Sequence, residues 1–366
     1  MPMMKARLIR ASQVPRRDRL SAEETARLDA MFAALDKGDE RAKPSRYWVE
    51  LNRMNVAQLK DNGYENFKRT LARNYFTWMM LLPWDSQIRF LCAKLKLAAV
   101  ARCAIRALTT KRLDYFTSLS PVLSFVSKFL GLALWEYLFT LKLPPKLLAL
   151  REPMEGNPPV VEPEPGMKVS QDLANSILEY DAFRTAIPEA ATILELGGGY
   201  GRNAFVVLSM HRDAKLIMVD IPPALWVAER YLSSIFPEKR VFRYRDFARF
   251  EDVAEEYARA DIVFLLSTQI HLVPRDSVDL ILNISFLHEM RRDQIQFYFD
   301  QFDRVMKPGG SLYTKQWRKA EVLFEGVTLE ESDYPVPAHW RRTMRRIASV
   351  QTRFFEAMFT KAKAKA

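Results

Sequence analysis

The pattern of apolar and polar residues changes near the middle of the chain. Before residue 150, apolar residues recur at helical spacing, and we predict helices at 21–38, 45–80 with a break at Asn62-Gly63, 85–118 and 121–150. After residue 170, short runs rich in Val, Ile and Leu alternate with helical segments, as in α/β proteins with a parallel sheet. We therefore predict two regions that differ in fold class.

Proline and charge mark the ends of these regions. Residues 151–169 contain five prolines, which predicts an extended connector between a helical N-terminal region, 21–150, and an α/β domain, 170–366. Residues 1–20 are basic and show little periodicity, so we predict a disordered arm. For residues 321–366 we predict a last helix, edge strands and a frayed basic end from Lys361.

The α/β region contains a series of strand candidates. Five buried strands are predicted at 192–196, 215–220, 261–267, 278–283 and 311–317, with a short candidate at 241–247. A helix is predicted to end at Met306, and the string Lys307-Pro308-Gly309-Gly310 is predicted to close it. Ligands of such sheets bind at the carboxyl ends of the strands, so residues that directly follow each strand are the candidates for function.

The most informative string follows the first strand. Residues 192–203 read Thr-Ile-Leu-Glu-Leu-Gly-Gly-Gly-Tyr-Gly-Arg-Asn, with four glycines in five positions between a strand and a helix. Such a turn presents backbone N–H groups to a ligand. The dinucleotide pattern Gly-x-Gly-x-x-Gly fits only loosely, because Arg202 or Ala204 occupies its third glycine position. An acidic-x-Gly-x-Gly-x-Gly pattern fits fully, at Glu195, Gly197, Gly199 and Gly201.

This pattern resembles motif I of the class I S-adenosylmethionine-dependent methyltransferases. Three further features of that family follow in order, namely an acid (Asp220) 25 residues after Glu195, a Leu-Val-Pro turn before the strand ending at Asn283, and Lys307-Pro308-Gly309-Gly310. The resemblance implies a Rossmann-like, doubly wound, mostly parallel sheet, with S-adenosyl-L-methionine as cofactor. The cofactor-binding residues that it implies are Glu195, Gly197, Gly199, Gly201, Asn203, Asp220, Ile221, Gln269 and Asn283.

Two of these residues, Asp220 and Gln269, can be matched to particular parts of the cofactor. Asp220 suits a ribose, because one carboxylate can accept hydrogen bonds from two hydroxyls. Gln269 stands where the family usually has Asp beside the adenine, and Asp246 is the alternative if 241–247 is the third strand.

Several local strings resemble one subfamily more closely. Glu155-Gly156-Asn157-Pro158, Ser170-Gln171-Asp172-Leu173 and Asn283-Ile284-Ser285-Phe286 are similar to the sugar O-methyltransferases of bacterial polysaccharide and natural-product clusters. That resemblance implies methylation of a sugar hydroxyl on a glycan, a nucleotide-sugar or a glycosylated metabolite. A hydroxyl is a poor nucleophile, so a base is expected. His288 and Glu289, just past a strand end, are the candidates.

Charge is uneven along the chain and leaves a second function open. Residues 1–150 hold 26 Lys and Arg against 13 Asp and Glu, whereas residues 151–366 hold 29 against 31. A basic half can attract nucleic acid, anionic lipid or anionic substrates. An RNA methyltransferase is therefore an alternative, although no RNA-binding module is recognisable. Another small-molecule O-methyltransferase and a non-catalytic scaffold are the remaining hypotheses.

Composition limits the other classes of site. Two cysteines exclude a disulfide framework, and the absence of an Asp-Asp pair after Asn283 predicts that no metal is bound. No apolar leader is visible in residues 1–18, so we expect a cytoplasmic protein. The apolar stretch 121–143 is interrupted by Lys128 and Glu136, which favours a buried or membrane-surface helix over a membrane span.

Overall fold

The computed structural model of the chain describes residues 19–70, 84–110, 121–247, 249–322 and 324–363. The α-helices are α1 (Ala22–Asp36), α2 (Arg46–Asn62), α3 (Phe67–Thr70), α4 (Trp84–Lys94), α5 (Leu97–Thr109), α6 (Pro121–Thr140), α7 (Pro145–Leu148), α8 (Gln171–Phe183), α9 (Arg202–Met210), α10 (Ala224–Ile235), α11 (Ala254–Arg259) and α12 (Arg292–Val305). The strands are β1 (Thr192–Leu196), β2 (Lys215–Asp220), β3 (Val241–Phe242), β4 (Ile262–Leu266), β5 (Val278–Ile284), β6 (Met306–Trp317), β7 (Lys319–Val322), β8 (Val327–Glu330), β9 (Trp340–Ile347) and β10 (Phe354–Lys361). The predicted basic arm and part of the predicted helix at 45–80 lie outside the described residues.

Eight strands form one sheet, in the order β3-β4-β2-β1-β5-β6-β10-β9, and β7 with β8 form a separate hairpin. Strands β1 to β6 pair in parallel, whereas β10 runs antiparallel to both β6 and β9. Because β1 lies between β2 and β5, the strand order reverses there and opens a crevice at the carboxyl ends of these strands. The predicted fold class, a Rossmann-like sheet preceded by a helical region, is confirmed.

The central strands are buried on both faces. Leu194, Ile217 and Val263 are fully buried, as are most of their neighbours along β1, β2 and β4. Both faces are covered by helices, which explains why these strands are continuous apolar runs without polar alternation. The sheet is therefore a rigid support for the residues that follow each strand.

The N-terminal helices pack against the α/β region rather than apart from it. The ring of Phe67 on α3 lies edge-on to Tyr200 in the glycine turn, at 5.8 Å between centroids. Arg27 on α1 donates a 2.5 Å hydrogen bond to Glu229 on α10. Helices from both parts of the chain share one apolar core. The helical region thus covers the edge of the sheet at which the strands end.

A buried ion pair ties the helical region, the connector and α8 together. Lys68 Nζ donates to Glu152 Oε1 over 2.6 Å, and both side chains are almost fully buried. The hydroxyl of Ser170, which caps α8, donates to the other oxygen of Glu152 over 2.5 Å. The same ammonium lies 4.9 Å from the ring centroid of Tyr200. Such a pair is costly to break, because either partner alone is a buried unpaired charge.

Two predicted helices in the N-terminal half have different bounds in the structure. The segment predicted as one helix at 85–118 forms α4 and α5 within its described part, because Lys96 has an extended backbone, with ψ at 145°, that interrupts helical hydrogen bonding. The helix predicted at 121–150 ends at Thr140, since Pro144 and Pro145 cannot continue its hydrogen bonds.

The C-terminal part also differs from the prediction. Lys307–Gly310 does not separate a helix from a strand. It forms a bulge inside β6, because Met306 pairs with Val278 and Ser311 already pairs with Leu280. Within the described residues of 321–363 the structure contains strands and no α-helix. Lys361 is not frayed, because it ends β10 and donates to the carbonyl oxygens of Asp303 and Met306.

We expect Lys68→Met to lower the free energy of unfolding by about 3–5 kcal/mol, because the carboxylate of Glu152 would stay buried without its partner. Urea denaturation followed by circular dichroism measures this. Lys60→Met is the matched control, since Lys60 pairs with Asp29 at the surface over 2.8 Å and such pairs contribute about 1 kcal/mol or less. Equal losses in the two variants would contradict the prediction.

Candidate active site

The glycine turn after β1 has a backbone that side chains would not tolerate. Gly197 has φ at +75°, and a Cβ atom there would lie 2.2 Å from the ring of Phe286. Gly199 has φ at +59°. Only glycine adopts such conformations freely while letting neighbouring groups approach. The turn is therefore shaped as a close-fitting floor at the carboxyl end of β1, where α9 begins.

Asp220, the last residue of β2, holds this turn in place. Its Oδ2 accepts a hydrogen bond from Gly199 N over 2.8 Å, and its Oδ1 accepts one from Ile221 N over 2.7 Å. Burial raises the pKa of this carboxyl to about 7, although the two backbone donors oppose the shift. The structure thus brings together the turn and the acid that the sequence singled out separately. Whether they bind a cofactor stays a prediction.

Glu195 places a second buried acid beneath the turn. Its side chain is almost fully buried, and its Oε2 has no hydrogen-bond partner among the described residues. Burial raises the pKa of Glu195 to about 8, helped by the nearby carboxylate of Asp220 and opposed by Arg202. Asn203, in the first turn of α9, also lowers it by a hydrogen bond. A cation bound here would favour the ionised form of Glu195.

Arg202 belongs to a buried charge network that the sequence analysis did not predict. Its guanidinium lies 2.7 Å from Glu179 Oε2 on α8, and Lys315 Nζ on β6 donates to Glu179 Oε1 over 2.7 Å. Burial alone would raise the pKa of Glu179, but the two cations outweigh it and lower that pKa to about 2. The sequence feature that could have indicated this network is the set of polar residues along α8. Its buried members are Gln171, Asp172, Asn175, Ser176 and Glu179.

Gln269 and Asn283 both hold backbone in place. The amide of Gln269 accepts from Leu266 N over 3.0 Å and donates to Arg245 O over 3.0 Å. It follows β4, the strand next to β2, whereas the alternative Asp246 is exposed and follows the two-residue edge strand β3. Asn283 Nδ2 donates to Leu196 O over 3.1 Å, so it joins the ends of β5 and β1. Their contact with a cofactor stays a prediction.

A chain of amides determines which nitrogen of His288 carries its proton. Asn283 donates to a backbone carbonyl, so its Oδ1 is the acceptor for Gln316 Nε2, at 2.6 Å. Gln316 Oε1 then accepts from His288 N at 3.3 Å and from His288 Nδ1 at 2.8 Å. His288 must therefore be protonated on Nδ1, which leaves Nε2 as an acceptor. Burial lowers the pKa of His288 to about 4, so the ring is neutral at pH 7.

Glu289 lies beside this imidazole. Its Oε1 is 3.8 Å from His288 Nε2, and its Oε2 accepts a 2.7 Å hydrogen bond from Trp48 Nε1 on α2. Burial raises the pKa of Glu289 to about 8, against the effect of Trp48. The side chain of Glu289 is 25% exposed and that of His288 only 4%. The pair is adjacent, as its place in the sequence predicts, but only Glu289 presents substantial surface.

Two other histidines form contacts of their own. His271 Nδ1 contacts Thr268 O at 2.9 Å, and His339 Nε2 contacts Asp303 at 2.8 Å. In the part of the chain that the structure describes, no group of three or more His, Cys, Asp or Glu side chains is arranged to hold a metal ion.

Comparisons with known proteins give likeness of fold only. No protein-family model matches the chain, and no curated protein matches it. It is similar to a solved structure described as a type 11 methyltransferase from Sulfolobus solfataricus, with 19% identity over 51% of this chain and 91% of that chain, at a TM-score of 0.35. It is also similar to an S-adenosylmethionine-dependent methyltransferase from Mesorhizobium loti, with 14% identity over 50% of this chain and 98% of that chain, at a TM-score of 0.34.

A third solved structure, described as an arsenic(III) S-adenosylmethionine methyltransferase from Chlamydomonas reinhardtii, shares 18% identity over 49% of this chain and 67% of that chain, at a TM-score of 0.32. Structures described as S-adenosylmethionine-dependent methyltransferases are thus among those to which this chain is similar. At these TM-scores the likeness carries no argument about the reaction. The functional interpretation therefore depends on the residues of the site.

We expect the neutral imidazole ring of His288 to carry its proton on Nδ1, because Gln316 Oε1 can only accept a hydrogen bond. Imidazole ¹⁵N chemical shifts at pH 7 report the tautomer, and the chain has four histidines to assign. Gln316→Leu removes the acceptor and should abolish the preference for Nδ1–H. The resonances of the other three histidines show whether that variant keeps its fold. An Nε2–H tautomer in the unmodified protein would contradict the prediction.

Proposed function

We propose that the chain is an S-adenosylmethionine-dependent methyltransferase that methylates a sugar hydroxyl. The observation that carries the proposal is the pair of buried acids at the glycine turn, Glu195 and Asp220, next to a hydrogen-bonded base candidate at the neighbouring strand end. The first feature suits a cationic cofactor, and the second suits an acceptor that must lose a proton.

The two buried acids at the turn favour a cationic ligand over a pyrophosphate, because a bound cation stabilises their ionised forms. Glu195 and Asp220 are both buried there, and burial raises the pKa of each to about 8 and about 7. The nearby guanidinium, that of Arg202, is already paired with Glu179. A dinucleotide would bring two further negative charges to this place, whereas a sulfonium cofactor brings an ammonium and a sulfonium. The residues present therefore fit S-adenosylmethionine.

Each part of the proposed cofactor would be bound by residues described above. The glycines of the turn between Gly197 and Gly201 would approach the methionine portion closely, because they carry no Cβ atom. The orphan Oε2 of Glu195 would accept from the cofactor's ammonium, and the Asp220 carboxylate would accept from the ribose hydroxyls. Gln269 would lie on the adenine side. When bound, the cofactor supplies an electrophilic methyl group for in-line displacement by an oxygen.

Glu289 is the better base of the two adjacent candidates. A general base must be accessible to the acceptor, and its pKa should lie near the working pH. Glu289 satisfies both conditions, with one quarter of its side chain exposed and a pKa of about 8. His288 is almost fully buried and its pKa is about 4, so it is a weak proton acceptor. In this assignment the proton of the reacting hydroxyl goes to Glu289, and His288 Nε2 would accept from a neighbouring hydroxyl of the acceptor.

The groups beside Glu289 support a polyhydroxylated acceptor. Trp48 holds the carboxylate from one side, and Trp317, which is partly exposed, lies edge-on to His288 at 6.2 Å between centroids. One turn beyond Trp48 on α2, the buried amide of Asn52 has no partner for either of its polar atoms among the described residues. Leaving such a group unpaired costs about 1–3 kcal/mol, which a hydroxylated ligand would offset. Aromatic faces with free amides are the groups that sugars bind.

We expect transfer of a labelled methyl group from S-adenosylmethionine to members of a panel of nucleotide-sugars and short glycans. Glu289→Gln should lower kcat/KM by about 100-fold or more, because general-base catalysis contributes about 10²–10⁴-fold. Since the pKa of Glu289 is raised to about 8, its base form is lost below that pH. The rate should therefore rise with pH and level off above about pH 8. Scintillation counting of separated products measures both.

The matched control is Glu238→Gln, which removes an exposed carboxylate distant in sequence and should leave kcat/KM unchanged. Total transfer RNA is included in the panel. Methylation of RNA and of no sugar would contradict the acceptor assignment, and full activity in Glu289→Gln would contradict the assignment of the base.

A further inference from the structure

Helix α5 has a burial pattern opposite to that of an ordinary surface helix. Its buried positions hold small side chains, Cys103 and Ala107. Its large aliphatic side chains point outward, with Leu97 84%, Ile105 61% and Leu108 71% exposed. An amphipathic helix on a protein surface normally turns its large apolar residues to the core. Helix α5 thus presents its large apolar side chains at the surface.

The outward residues form one continuous stripe. At 100° per residue, Leu97, Ala101, Ile105 and Leu108 fall within an arc of about 80° along α5. Val122, at the start of the neighbouring helix α6, is 67% exposed. Helices α5 and α6 pack against each other, and the small inward residues of α5 allow them to approach closely. Adjacent exposed aliphatic residues of this kind mark an interaction surface rather than scattered surface apolar groups.

The charge around the stripe indicates what covers it. Residues 84–112 hold seven Lys and Arg against one Asp. Lys94 and Lys96 are exposed just before α5 begins, and Lys111 and Arg112 follow shortly after it ends in the sequence. Arg102, on the flank of the stripe, is held by Glu136 over 2.9 Å. An aliphatic stripe that begins beside the exposed cations of Lys94 and Lys96 complements a surface that is apolar inside and anionic outside.

We propose that the stripe formed by Leu97, Ala101, Ile105 and Leu108 docks the protein onto an anionic lipid surface. The aliphatic side chains enter the boundary between headgroups and acyl chains, and the flanking cations contact lipid phosphates. The helices lie along the membrane rather than through it, since no helix within the described ranges is long and apolar enough to span a bilayer. A second copy of the chain is the competing occupant, but a cationic rim would face its own charge across such a dimer.

Sedimentation with sucrose-loaded vesicles tests the proposal on the full-length chain. We expect it to bind vesicles of phosphatidylcholine with 30% phosphatidylglycerol at least tenfold more strongly than phosphatidylcholine alone, and to lose binding as NaCl rises. The combined variant Leu97→Gln, Ile105→Gln and Leu108→Gln should lose at least tenfold in partition coefficient. The pair Lys94→Glu and Lys96→Glu should reduce binding only to the anionic vesicles.

The matched control replaces three exposed apolar residues elsewhere, as Val49→Gln, Phe324→Gln and Ile347→Gln, and should bind vesicles normally. The proposal would be overturned by equal loss in this control or by no vesicle binding at all. It would also be overturned if ultracentrifugation shows a dimer that only the α5 variant dissociates. S-adenosylmethionine binding, measured by calorimetry on the same variants, should not change, so failure here is distinguishable from failure of the proposed function.

Discussion

The hydrogen bonds from Gly199 and Ile221 to the buried carboxylate of Asp220 are the constraint on which the site depends. They fix the glycine turn after β1 against the end of β2, at the point where the strand order reverses. Both oxygens of Asp220 are used by backbone, yet each keeps lone pairs for further donors. The same contacts that shape the turn thus leave acceptor capacity on Asp220 for further donors.

The helical region completes the site rather than standing apart from it. Trp48 supplies a donor to Glu289, and Phe67 packs on Tyr200 inside the glycine turn. The buried pair of Lys68 and Glu152 anchors that region to the cap of α8. Consequently the surroundings of Glu289 are assembled from segments more than 200 residues apart. A truncated α/β domain would lack these groups.

The sequence predicted the fold class, the glycine turn and Asp220, because each is encoded by a local string whose chemistry is unambiguous. It did not predict Gln316, since its role depends on side-chain hydrogen bonds to residues that are 28 and 33 positions away. Arg202 was noted only for breaking the dinucleotide pattern, although it pairs with a buried acid on α8. The orientation of α5 was not predictable either, because periodicity identifies an apolar face without stating what covers it. The bulge at Lys307–Gly310 depends on the register in which β6 pairs with β5, and composition does not determine that register.

The glycine turn with its two buried acids is proposed to receive a sulfonium cofactor and not a dinucleotide. Isothermal titration calorimetry of the unmodified chain with S-adenosylmethionine and, separately, with NAD⁺ tests it most directly. The account predicts saturable one-to-one binding of S-adenosylmethionine, weakened at least tenfold by Asp220→Ala and unaffected by Asp213→Ala at the opposite end of β2, with no heat from NAD⁺. Binding of NAD⁺ without binding of S-adenosylmethionine would contradict it.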